Sequence, residues 1–232
     1  MVMVVWTGKP GAGKSFVATY TIIQIAYRNK AWFEKTGIKR FIYTNTPYNW
    51  EILTGEGLTE FFKPWECLEE LWKIRDADVV WDEVQVDLDA RNWSDLSPEL
   101  KRWLEEHRKF GIEIYATAQD FGQVDLAARR CTTTLFWLSN LIGNREPSPT
   151  TPPIKYVWGL TAIYEVDPLK YDTQKGNFES SSVLPQFFWR TREVAELFST
   201  RHEIKRSAPT AFKHIHRHCD HPGCHYDKVT HV

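Results

Sequence analysis

Gly8-Lys9-Pro10-Gly11-Ala12-Gly13-Lys14-Ser15 follows an apolar run over residues 2–7 and precedes a helix-like run over residues 16–27. The stretch fits G-x-x-x-x-G-K-[ST], a pattern that has meaning in this strand–loop–helix setting. Glycines let a backbone turn its N–H groups inward around phosphate oxygens, and the start of a helix adds partial positive charge. Lys14 would reach the β- and γ-phosphates, and the Ser15 hydroxyl would hold Mg²⁺. A dinucleotide fingerprint is disfavoured, because Phe16 stands where the third glycine after Gly11 and Gly13 belongs. The stretch implies a nucleoside-triphosphate site made of residues 8–16.

Working outward, short apolar or β-branched runs at residues 2–7, 41–44, 78–81, 112–116 and 134–138 read as strands of a parallel sheet covered on both faces. Helical patterns lie between them. The clearest follows Ser97, an expected N-cap, with Pro98 at the first helical position and Gly111 past the end. Leu100, Trp103, Leu104, His107 and Phe110 keep the spacing of one buried helix face. Strands alternating with helices predict a three-layer α/β/α sandwich.

Val79-Val80-Trp81-Asp82-Glu83 is the second informative run. A strand ending in two acids delivers them to the carboxyl-terminal edge of the sheet, where the phosphate loop also lies. Asp82 is expected to hold Mg²⁺, through water, and Glu83 to activate the attacking water. The strand at 112–116 runs into Thr117-Ala118-Gln119. An amide at that tip can bond both the water and a phosphate oxygen; strand tips are also commonly polar for the sake of solvent, and the spacing leaves both readings. Arg108, Arg129 and Arg130 are candidates for completing a neighbour's site, with the Arg129-Arg130 pair before the last strand preferred.

Gly8–Ser15, Trp81-Asp82-Glu83-Val84-Gln85, His107-Arg108-Lys109-Phe110-Gly111 and Tyr115-Ala-Thr-Ala-Gln119-Asp120 occur in this order over residues 1–140. The set resembles the Zot-like (zonular occludens toxin-like) phage ATPases, within the wider FtsK–HerA group of motors that includes viral genome-packaging ATPases. The resemblance implies a five-stranded, RecA-like P-loop NTPase sheet of the ASCE type, a homo-oligomeric ring, and ATP-driven movement of DNA or of a virion during assembly. It marks Lys14 and Ser15 for nucleotide and Mg²⁺, Asp82 and Glu83 for hydrolysis, and Gln119 for sensing. Zot-like assembly proteins usually carry a membrane span after the ATPase domain, whereas no apolar tract here approaches the roughly 20 residues one requires. A soluble packaging motor is therefore expected over extrusion at a membrane. The toxin activity in the family name is not carried over.

Length and composition fit this picture. The chain has 232 residues, 42% hydrophobic, with 11 Trp, enough for one sizeable α/β domain and a small appendage. Net charge is −1, so contact with viral DNA must come from a local basic patch or from a ring of subunits. No secretory leader is expected, and four Cys are too few and scattered for a disulfide framework. The host cytoplasm, or association with the virion and its assembly proteins, is the expected setting. Cys67 and Cys131 read as small buried residues.

The expected organisation is an ATPase core over 1–143, a connector over 144–153 with four prolines, accessory strands and a helix over 154–200, and a basic tail over 201–232. Within the accessory part, 154–166 reads as strand or hairpin, 185–189 as extended chain and 191–199 as a short helix. From His214 onward the tail holds six of the eight His. Cys219 and Cys224 flank a Pro-Gly turn, so a zinc site with His216 or His218 and with His225 or His231 is one reading, and a polar tail is the other. Other enzymes share the phosphate loop, notably small-molecule or nucleoside kinases, and a nucleotide-dependent scaffold uses it without hydrolysis. Asp82-Glu83 with Gln119 suits activation of water better than either.

Overall fold

Alternation along β1 (Met3–Thr7) decides what covers each face of the sheet. Met3 and Val5 face one apolar cluster; Val4 and Trp6 face another. The structure, a computed structural model, describes residues 2–46, 48–90, 97–142, 159–172, 177–178, 184–191, 194 and 197. Further strands are β2 (Ile42–Thr44), β3 (Phe62–Pro64), β4 (Asp78–Trp81), β5 (Glu113–Ala118), β6 (Thr134–Ile142), β7 (Gly159–Val166), β8 (Tyr171–Asp172), β9 (Asn177–Phe178) and β10 (Gln186–Arg190). Helices are α1 (Lys14–Thr36), α2 (Trp50–Gly55), α3 (Leu68–Leu71), α4 (Val84–Asp87), α5 (Pro98–Glu106) and α6 (Leu126–Cys131).

The main sheet is 8-stranded in the order β10-β7-β6-β1-β5-β4-β2-β3. From β6 through β3 every pairing is parallel, so these strands end at one rim. Helices α1 and α2 pack on one face, through residues such as Ile22, Ala26 and Leu53; α3, α5 and α6 pack on the other, through Leu68, Trp103 and Ala128. The molecule is a three-layer α/β P-loop NTPase fold. Its inner strands, β6-β1-β5-β4-β2, are the five expected. The implied five-stranded limit is corrected by β3, whose Pro64 suits an outer strand, and by antiparallel β7 and β10 at the other end. β8 and β9 form a separate two-stranded ribbon.

Boundaries shift for local reasons. α1 runs well past residue 27, where buried Asn29 donates to Asp78 and Lys30 to Glu56 O, and it stops where Gly37 takes a left-handed φ of 73°. α5 starts as expected, with the Ser97 hydroxyl accepting from Leu100 N at 3.2 Å, but ends at Glu106. Residues 107–111 instead wind tightly, with Lys109 N donating to Glu106 O and Phe110 N to His107 O, before Gly111 turns at φ 73°. β6 extends four residues beyond 138 because it gains β7 as an antiparallel partner. Val194 and Leu197 are helical. The proline-rich connector at 144–153 and the tail at 201–232 lie outside the described residues.

At the amino-terminal rim of the sheet, Asp78 is fully buried and serves as the anchor for three elements. Arg40 grips it with Nε to Oδ2 at 3.1 Å and Nη2 to Oδ1 at 2.9 Å, and Asn29 of α1 donates to Oδ2 at 2.9 Å. The same guanidinium bonds the carbonyls of Ala77 and Gly111, joining the starts of β4 and β5. Removing one partner of such a buried pair leaves an uncompensated charge. Asp78→Ala is expected to destabilise the fold by about 3 kcal/mol, read from urea unfolding followed by tryptophan fluorescence.

Candidate nucleotide-binding and hydrolytic site

The loop between β1 and α1 is shaped by glycines that nothing else could replace. Gly8, Gly11 and Gly13 have φ of 144°, 78° and 93°. A Cβ on Gly8 would lie 2.4 Å from Leu138 O of β6, and one on Gly13 would lie 2.7 Å from Thr161 Oγ1 of β7. Thr161 also donates its hydroxyl to Ala12 O at 3.2 Å. Lys9, Pro10 and Gly11 form the exposed lip of the loop; Ala12 is buried beneath it. Lys14, Ser15 and Phe16 form the first turn of α1, half-buried, with their amides at the helix start. The Lys14 ammonium donates to Gly8 O at 2.7 Å and Lys9 O at 3.2 Å.

Asp82 and Glu83 leave β4 at the same rim, on the side of β1 occupied by β5. Thr117 of β5 ties them together. Its hydroxyl donates to Asp82 Oδ1 and accepts from Glu83 N at 3.0 Å. Asn45, just after β2, accepts from Asp82 N at 2.7 Å and donates to Asp82 O at 3.2 Å. Glu83 is exposed and sits at φ 55°, a left-handed conformation costing a non-glycine residue about 1–2 kcal/mol. Gln119 Nε2 donates to Glu83 Oε1 at 3.1 Å, and Gln85 Oε1 accepts from Gln119 N at 3.3 Å. These hydrogen bonds hold the strained conformation in place.

Burial pushes the Asp82 carboxyl above its usual range, with the Glu83 charge adding to the effect and the Thr117 hydrogen bond and Lys14 opposing it. Burial likewise pulls Lys14 down, against the attraction of Asp82 and Glu83. In both groups burial works against the charged form. Each charge is one the unliganded fold tolerates rather than gains from.

The sequence-predicted residues divide into two groups. Loop residues 8–16, Asp82, Glu83 and Gln119 share one rim. Arg108 lies at the other rim, where its guanidinium donates to Thr133 Oγ1 at 2.9 Å and Thr133 N reaches Met3 O, the first residue of β1. β1 is five residues long, so the rims stand roughly 16 Å apart. Arg129 and Arg130 close α6 shortly before Thr133; among the described residues no hydrogen bond or ion pair joins either to the phosphate loop. His216, His218, Cys219, Cys224 and His225 lie outside the described residues. Sequence reasoning missed Asn45, Gln85, Thr117, Thr161 and Arg190. Asn45 and Thr117 stand at strand tips and were legible as such; Thr161 and Arg190 carry no local signal.

No cluster of three His, Cys, Asp or Glu side chains able to cage a metal occurs among the described residues. A carboxylate and a serine hydroxyl are nevertheless hard oxygen donors, the set Mg²⁺ uses when substrate phosphates complete its shell. Asp82 and Ser15 fit that requirement. Among the described residues no helix is long and apolar enough to cross a membrane.

Residues 2–145 match the model of a family described as Zonular occludens toxin (Zot). No curated protein sequence matches the chain. The N-terminal domain of zonular occludens toxin from Neisseria meningitidis is similar in structure, with 19% identity and a TM-score of 0.51 over 85% of this chain and 98% of that one. The genome packaging NTPase B204 from Sulfolobus turreted icosahedral virus 2, in complex with AMPPCP, gives 13% identity and a TM-score of 0.44 over 82% of this chain and 97% of that one.

Two outcomes follow from the geometry. Thr117→Val removes the hydroxyl that orients both acids and is expected to lower turnover about 10- to 100-fold with little change in melting temperature, measured by steady-state phosphate release and calorimetry. Asp82→Asn is expected to melt later than the wild type without ligand. A raised folded-state pKa gives stability that is complete below the unfolded carboxyl value and is lost as pH rises through the folded value. The variant's advantage should therefore grow with pH across that window and vanish on acidification, which a calorimetric pH series reads directly.

Proposed function

This chain belongs to the zonular occludens toxin (Zot) family, and from that premise we propose that it is an ATP-hydrolysing motor moving viral DNA, in genome packaging or phage assembly. The observation carrying the proposal is the Thr117 hydroxyl, which holds Asp82 and Glu83 together at the rim shared with the Gly8–Ser15 loop. Backbone N–H groups of the loop and the first turn of α1 receive the phosphates. Lys14 exchanges its bonds to Gly8 O and Lys9 O for β- and γ-phosphate oxygens. Mg²⁺, held through Ser15 and Asp82, would neutralise developing charge on those oxygens. Glu83 takes a proton from the attacking water as the γ-phosphorus–oxygen bond to the leaving diphosphate breaks. Gln119, bonded to Glu83 Oε1, orients the carboxylate and the water. The products are ADP and phosphate.

In this reading copies of the chain form a ring around DNA, in the host cytoplasm or on the virion. Residues 154–200 complete the ATPase domain and 201–232 form its basic tail. Arg129, Arg130 and Arg108 are assigned to a neighbouring copy's site; Arg108 in its own chain lies at the rim opposite the loop.

The test is phosphate release with and without single- and double-stranded DNA, alongside the mass of the assembled species. Stimulation by DNA and a multimeric mass are expected. DNA-indifferent turnover by a monomer would falsify the motor. Glu83→Gln should keep nucleotide affinity while turnover falls about 10²- to 10⁴-fold, and unimpaired turnover removes Glu83 as the base.

A further inference from the structure

Arg190, the last residue of β10, is a buried cation with no counter-ion among the described residues. Only 6% of its surface is exposed. Its Nη2 donates to Asn140 Oδ1 at 2.8 Å and to Ile142 O at 3.0 Å, both on β6, while Nε has no acceptor among the described residues. No ion pair is formed with it among those residues, and burial alone lowers its pKa. A guanidinium kept out of water with donors unfilled is costly unless an anion completes it.

Its surroundings indicate where that anion would lie. Arg190 Cδ is 3.5 Å from the position a Cβ on Gly13 would occupy, so the side chain runs against the phosphate loop. On the same strand face, Phe188 packs beside Tyr20 of α1, with ring centroids 5.4 Å apart. A Cβ on Gly159, paired with Arg190 across β7, would stand 1.9 Å from Nη2; the strand keeps a glycine there and the guanidinium fills its place. The sheet order adds direction. β5 and β4, carrying Gln119, Asp82 and Glu83, lie on one side of β1; β6, β7 and β10 lie on the other. A triphosphate whose terminal phosphate faces the acids must extend its α-phosphate and nucleoside towards β6, β7 and β10.

The geometry points to Arg190 as a nucleotide-binding residue acting within its own chain, supplying positive charge to the α-phosphate end of the bound nucleotide on the side of Gly13 away from Glu83. This rests on the nucleotide site proposed above and deepens it. Arg190 holds the part common to ATP and ADP, so it governs affinity rather than the chemical step.

The experiment measures dissociation constants for ADP and a nonhydrolysable ATP analogue with the full chain and its R190K and R190Q variants, and melting temperatures with and without nucleotide. R190Q is expected to weaken both ligands by about tenfold or more, the loss of one charge-assisted contact. R190K should recover part of that affinity, and all three proteins should melt alike without nucleotide. Unchanged affinity in R190Q overturns the inference alone. So does a loss confined to the triphosphate, which would put Arg190 at the other end. Equal weakening in both variants, with early melting of the unliganded proteins, would make the residue structural and overturn it too. If wild-type protein binds neither ligand, the nucleotide reading itself falls and takes this inference with it.

Discussion

The fold turns on how closely a loop of glycines approaches the strands beside it. Gly8 touches the backbone of β6 and Gly13 touches Thr161 of β7, each in a left-handed or nearby conformation. Any side chain at either position meets an oxygen well inside contact distance. The cradle is therefore fixed from outside as well as by its own turn. β7 contributes a hydrogen bond to Ala12 O, so strands that arrive late in the chain brace a loop formed at its beginning. Thr161 and Ala12 are separated by 149 residues, and their contact requires the antiparallel extension of the sheet.

The two rims of the sheet handle charge in opposite ways. At the amino-terminal rim, Asp78 is buried but saturated by Arg40 and Asn29, and the ions hold elements together. At the carboxyl-terminal rim, burial acts against the charged forms of Asp82 and Lys14, Glu83 sits in a strained conformation, and Arg190 has donors to spare. One rim is arranged for stability. The other gathers the groups whose charged forms the fold opposes, the pattern common at functional sites. Such sites commonly detract from the stability of the empty protein.

Aromatic packing fixes the platform between the rims. Trp6 of β1 stacks between Tyr115 of β5 and Phe136 of β6, with ring centroids 6.3 and 6.4 Å apart. These rings lie on the α1 face, beneath the helix that presents Lys14 and Ser15. Contacts of this kind are worth about 0.5–1.5 kcal/mol each beyond their burial. They keep β1 in register with both neighbours, so the loop at its end and the tip of β5 hold a constant spacing.

The sequence by itself determined the phosphate loop, the acids after β4, the amide after β5 and the class of fold, because each is written in residues close together: glycine spacing, an apolar run ending in Asp-Glu, a strand ending in Gln. It also gave the first-turn cap of α5 through Ser97 and Pro98. Local pattern could not give the length of α1, whose turns beyond residue 27 are mostly exposed and are tied down by Asn29 to Asp78 and Lys30 to Glu56 O, nor β3, whose three residues resemble loop. It was equally silent on Thr161 and Arg190. Their importance lies in what they touch, and strand pairing across more than a hundred residues brings them there. Chain neighbours set the chemistry of each strand tip; only the tertiary order of the strands decided which tips stand side by side at one rim, since a residue's local sequence carries no record of the strand packed beside it.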